Sequence, residues 1–101
     1  MKHILAAAAL LALTPTSAFA ALSGFYDSAE QITAILSDSE IADALRQAPI
    51  GHIANTGTRD DGAHEWQIRT QDCDLTVYLI PVAPSGPGKT TYRPEGPYAC
   101  E

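Results

Sequence analysis

The residues Ala83 to Thr90 read A-P-S-G-P-G-K-T. They nearly match the phosphate-binding pattern G-x-x-x-x-G-K-[ST]. The chemistry of that pattern fails here. Its first glycine is replaced by Ala83, and Pro84 and Pro87 bring no N–H groups to cradle a phosphate. A strand pattern follows where a helix is required, so the segment is read as a stiff loop with one exposed lysine. His52 and His64 flank an Asp60-Asp61-Gly62 turn. If their strands pair, two imidazoles with Asp60, Asp61 or Glu65 could gather around zinc or copper. Two histidines fall short of a full ligand set, so no metal and no cofactor is assigned. The serines cluster near helix starts, where capping explains them. Acidic pairs such as Asp60-Asp61, and Asp72 with Asp74, fall in turns that favour aspartate for backbone reasons. No nucleophile, base and orienting acid converge, and no catalytic residue is assigned.

Cys73 and Cys100 are the two cysteines. No Cys-x-x-Cys and no cysteine cluster accompanies them, so a structural disulfide is the expected use. Closing that loop would stabilise the fold by about 3.5 kcal/mol on the chain-entropy model. A disulfide needs an oxidising compartment, and the start of the chain supplies a route to one. Lys2 precedes an apolar run from Ile4 to Leu13, Pro15 breaks it, and Ala18-Phe19-Ala20 forms a small-x-small cleavage box. Residues 1–20 are therefore expected to be a signal peptide of bacterial type, with residues 21–101 a single domain in the periplasm or outside the cell. The apolar run is too short to span a bilayer, no lipid-acceptor cysteine follows it, and no membrane anchor is expected. Cleavage removes Lys2 and takes the net charge from −6 to −7. So acidic a domain is a poor partner for nucleic acid or an anionic membrane.

The elements that position these residues follow from periodicity. Asp27 or Ser28 can cap a first short helix carrying Ile32, Ile35 and Leu36. Ser37 to Glu40 fits a capping box for a second, which carries Ile41, Ala44, Leu45 and Ala48 and ends at Pro49. Ile50 to Thr58 is a weak strand, and Arg59 to Gly62 a hairpin turn. His64 to Thr70 alternates, with Trp66 and Ile68 on one face and Glu65, Gln67 and Arg69 on the other. In Cys73 to Ile80 the Cys73, Leu75, Val77 and Leu79 face is apolar. Lys89 to Arg93 is a last strand after the Pro81–Gly88 loop. The fold class is α+β: two short N-terminal helices packed on one face of a three- to four-stranded antiparallel meander. The last strand should return Cys100 to the start of the third, beside Cys73.

The run Glu65-Trp66-Gln67-Ile68-Arg69 followed by Cys73-Asp74-Leu75-Thr76-Val77-Tyr78-Leu79, after a short helix ending in proline, resembles the small periplasmic SmpA/OmlA (BamE-like) domains. The β-lactamase-inhibitor-type repeat is similar to these in fold. The resemblance implies an α-α-β-β-β layer on a scaffold that binds other proteins. The missing lipid-acceptor cysteine departs from the lipoprotein members and sets membrane tethering aside. The expected function is a non-enzymatic protein-binding module or inhibitor. The alternatives are an envelope-maintenance protein of the SmpA/OmlA kind, or a metal-binding periplasmic protein. The candidate contact surface is the sheet face away from the helices: Gln67, Arg69, Thr76, Tyr78 and Ile80, with Tyr92 joining them. The proline-rich loop is a second contact surface. The chain is expected to be a monomer or a weak homodimer, with a protein partner of unknown identity.

Overall fold

The computed structural model describes residues 22–101. The expected signal peptide, residues 1–20, lies outside them. The chain runs α1 (Gly24–Leu36), α2 (Ser39–Ala44), β1 (His52–Thr58), β2 (His64–Arg69), β3 (Asp74–Val82) and β4 (Thr91–Glu95). The strands form one antiparallel sheet in the order β1-β2-β3-β4. Among the described residues the helices are unequal: α1 has 13 residues and α2 only six. Two short helices were expected, and the first is the longer element at 13 residues.

Each helix starts at a different cap from the one expected. Ser23, not Asp27 or Ser28, caps α1, its hydroxyl accepting from the Tyr26 N–H at 3.5 Å. Asp27 then falls in the first turn, where a carboxylate suits the positive end of the helix dipole. Asp38 displaces Ser37 as the cap of α2, because its carboxylate accepts from the Ile41 N–H at 2.9 Å. The second helix stops at Ala44, well before Pro49. Arg46 and Gln47 there adopt φ of 56° and 52°, which turns the chain and lets Gln47 N–H donate to Ala42 O at 2.8 Å. Two successive non-glycine residues in this region cost about 1–2 kcal/mol each.

The strand alternation is as expected. Trp66, Ile68, Leu75, Val77 and Leu79 point to one face, where Ile35, Ile41 and Leu45 close over them. β1 begins at His52 rather than Ile50, and a bulge between Asn55 and Gly57 shifts its register. Gly62 turns the first hairpin with a φ of 92°, its N–H donating to Arg59 O at 2.9 Å.

Three long-range ties hold the layers together. Trp66 Nε1–H donates to Gln31 Oε1 at 2.8 Å, and Gln31 Nε2–H donates to Asp27 Oδ2 at 3.1 Å. Tyr92 hydroxyl then donates to Asp27 Oδ1 at 2.7 Å, so α1 is bonded to both β2 and β4. The third tie is the Cys73–Cys100 disulfide, with a Cα–Cα distance of 5.1 Å. It brings the end of the chain to the start of β3, where Glu101 N–H also donates to Asp74 O at 3.0 Å.

Tyr92 therefore faces the helices, not the open side of the sheet. It pairs with Pro81, which shares the face of Leu79. Burial, and then its hydrogen bond to Asp27, push the Tyr92 hydroxyl up to about 12; burial and the nearby Asp38 carboxylate push Tyr98 to about 12 as well. A folded-state pKa above the unfolded value means stability is complete below about pH 10 and lost as pH rises through 12. The urea midpoint of the oxidised protein is expected to fall between those limits, and Tyr92→Phe should flatten that fall. Equal midpoints at pH 8 and pH 11 would contradict the buried tyrosine bonds.

Candidate functional site

The face away from the helices is built by β2 and β3 at the centre of the sheet. Cross-strand pairs set its rows: Glu65 opposite Tyr78, Gln67 opposite Thr76, and Arg69 opposite Asp74. Side chains on this face are half-buried or exposed, while Trp66, Ile68, Leu75, Val77 and Leu79 between them are buried. The structure thus brings Gln67, Arg69, Thr76, Tyr78 and Ile80 onto one surface, and leaves Tyr92 on the other.

Tyr78 is the most constrained of these side chains. Its hydroxyl donates to Glu65 Oε2 at 2.9 Å, and Thr56 hydroxyl donates to Glu65 Oε1 at 2.8 Å. The Thr56 bond and then the Tyr78 bond hold the Glu65 carboxyl below its ordinary range, while the Glu65 carboxylate raises Tyr78. Arg59 folds back from the hairpin turn and lays its guanidinium 4.6 Å from the Tyr78 ring centre, a cation–π contact. The same guanidinium donates to Asp61 at 2.7 and 2.9 Å and to Glu95 at 3.0 Å. Arg69 donates to Asp74 Oδ2 at 3.1 Å, an exposed pair worth at most about 1 kcal/mol.

The Asp61 and Glu65 carboxyls are held down, and the Tyr78 proton is held on. What the arrangement offers is a rigid polar and aromatic surface that loses little side-chain entropy on contact.

The histidine pair weighed above as a metal site and not assigned is not brought together. His52 pairs with Arg69 and His64 with Thr58, at opposite ends of the β1–β2 hairpin. That separation is about 20 Å along the strand, and the two imidazoles lie on opposite faces. His64 instead meets the Tyr92 ring edge-on at 5.5 Å. Among the described residues no three His, Cys, Asp or Glu side chains gather to hold a metal. Lys89, at the end of the proline-rich loop, is ion-paired with Glu30 of α1, and its loop runs into β4 rather than a helix.

The sequence reading missed the role of Arg59, which joins groups up to 36 positions away. Its spacing two residues before Asp61 was the only local hint. It also missed an apolar cleft of about 140 Å³ between the end of α1, α2 and the approach to β1. No family model matches the chain, and no curated protein or solved structure matches it either.

The Arg59 bonds, foremost among them the side-chain bond, hold Asp61 at about 2. In Arg59→Ala the Asp61 carboxyl is expected to titrate higher, moving from about 2 toward 3.8 but held below it by the Ala63 N–H that still donates to Asp61, as read by carboxyl-carbon NMR. Titration that stays near 2 in that variant would show that the turn backbone, not Arg59, sets the charge.

Proposed function

We propose that this protein is a small exported, non-enzymatic binding module or inhibitor that holds a partner protein on its open sheet face. One observation carries the reading. Both helices pack on a single face of the sheet, and the opposite face presents Tyr78 clamped between Arg59 and Glu65. Tyrosine and arginine are enriched where binding energy concentrates, and a side chain already immobilised has less to lose on docking. Gln67, Thr76 and Ile80 would frame the contact, with Arg69 at its rim.

The export part of the reading rests on the Ile4–Leu13 run, the Ala18-Phe19-Ala20 box and the disulfide. The surface carries more acid than base, which disfavours nucleic acid and anionic lipid as the partner.

The test is retention of a partner from periplasmic extract by oxidised mature protein. Tyr78→Ala and Thr76→Arg should each abolish specific retention, while Phe25→Ser, at an exposed position of α1, should not. Mass spectrometry of the exported chain should place its N-terminus at Ala21. Retention unchanged by both sheet variants would overturn the open-face reading, and an unprocessed chain would overturn export. A fraction held with outer-membrane assemblies would instead favour the envelope-maintenance role that the SmpA/OmlA resemblance implies.

A further inference from the structure

The Cys73–Cys100 disulfide joins two sulfurs in different surroundings. Cys73 is 8% exposed and belongs to the apolar core. Cys100 is exposed, in a tail of residues 96–101 that has no regular structure. Both half-cystines line a cavity of about 220 Å³ between the turn after α2 and the β2–β3 turn, together with Arg46, Thr70 and Asp72. Thiol–disulfide exchange requires a thiolate to reach a sulfur, and its rate follows access and which sulfur is attacked. Access selects Cys100. An incoming thiolate meets no net charge there, because Arg46 and Asp72 are the one cation and the one carboxylate among the described residues lining the cavity.

The fold also provides for the opened bond. Of the three long-range ties, the disulfide alone joins no helix to the sheet. It fastens the tail beyond β4 to the start of β3, whereas α1 is held through Trp66, Gln31, Asp27 and Tyr92. The β2–β3 turn keeps its own closure, with Thr70 N–H donating to Cys73 O at 2.9 Å. A reduced Cys73 would remain in the apolar core, where a thiol packs as a small hydrophobe. A reduced Cys100 finds an acceptor in place, since Ala44 O lies 3.3 Å from its Sγ. The tail keeps Tyr98 packed against the core and Glu101 N–H on Asp74 O at 3.0 Å. Opening is therefore a local event at one end of the molecule rather than loss of the fold.

We propose that this disulfide is a thiol–disulfide exchange site, opened at Cys100 by a dithiol protein. One thiolate of the dithiol attacks Cys100 Sγ and forms a mixed disulfide. The Sγ–Sγ bond breaks, and its electron pair leaves on Cys73, which takes up a proton. The second thiol of the dithiol then attacks the partner's own sulfur in the mixed disulfide and releases Cys100, which takes up the other proton. Two electrons pass to this protein, two thiols replace its disulfide, and the dithiol becomes a disulfide. Residues 96–101 pass from a covalent to a hydrogen-bonded attachment. The exchange does not depend on the open sheet face.

Dithiothreitol and glutathione are the probes, applied to the folded, oxidised protein. Reduction by dithiothreitol in buffer is expected within about tenfold of the rate for the urea-unfolded chain, as for a bond reached without global unfolding. Brief exposure to glutathione, acid quenching and peptide mass spectrometry should find the mixed disulfide on Cys100. Amide NMR of the reduced protein should stay dispersed, with the Trp66 indole N–H in place. Its shifts should be confined to the cavity walls and the tail, residues 44–48, 70–74 and 96–101. Cys100→Ser, which cannot form the bond, should give the same spectrum in dithiothreitol. Reduction slower than that bound, no glutathione adduct, or an adduct on Cys73 would each overturn the proposal. So would a reduced protein or a Cys100→Ser variant that loses its dispersed spectrum, because the bond would then be a structural staple.

Discussion

The indole N–H of Trp66 is buried, and Gln31 is the group that satisfies it. Leaving such a donor unpaired costs about 1–3 kcal/mol, more than making the bond contributes. The position of α1 over the sheet follows from that requirement. Gln31 is itself only 4% exposed, so its own amide needs a partner and finds Asp27 one turn earlier. Asp27 in turn accepts from Tyr92 on the far strand. A single chain of hydrogen bonds therefore runs from β2 through α1 to β4, and a shift of the helix would break several of its bonds together. Apolar packing alone would tolerate more freedom than this.

With α1 held on one face, the rest of the layout follows. The helix side receives the apolar half of each strand, and α2 adds Ile41 and Leu45 to the floor. The short second helix leaves part of the end of α1 without a covering element, which is where Leu36 and Ile50 emerge around the apolar cleft. The other face of the sheet keeps its polar half, organised by Arg59 above Tyr78. The disulfide fastens the last residues to the start of β3, opposite the hairpin end of the molecule. An apolar cleft on the helix side and a polar, aromatic face on the other lie on opposite sides of a thin sheet.

What could be read from the residues was what depends on short-range repetition. The alternation through Trp66, Ile68, Leu75, Val77 and Leu79 has period two and translates directly into one buried face. The Cys73–Cys100 bond followed from an even cysteine count and from the meander. Other features depended on register. The side of the sheet taken by Tyr92 turns on where β4 begins pairing, and a slip of one residue reverses the answer. His52 and His64 looked like neighbours because a turn lies between them, but pairing from the turn outward sends His52 to the far end of β1. The helix caps were ambiguous for a different reason: Ser23, Asp27 and Ser28, or Ser37 and Asp38, are all good caps, and tertiary demand decided among them. Asp27 was needed for Tyr92. The Arg59 cluster had only Asp61, two residues on, as a local hint, since Tyr78 and Glu95 reach Arg59 only once β3 and β4 are in the sheet.

The account turns on the Gln31–Trp66 bond as the anchor of the helix, and a double-mutant cycle measures it most directly. Urea unfolding would be compared for the parent, Gln31→Ala, Trp66→Phe and the double variant, because the cycle cancels what each change does by itself. The account predicts that Gln31→Ala costs markedly more with Trp66 present than with Phe in its place, a coupling of about 1 kcal/mol or more. An equal cost in both backgrounds would contradict it and leave apolar packing as what positions the helix.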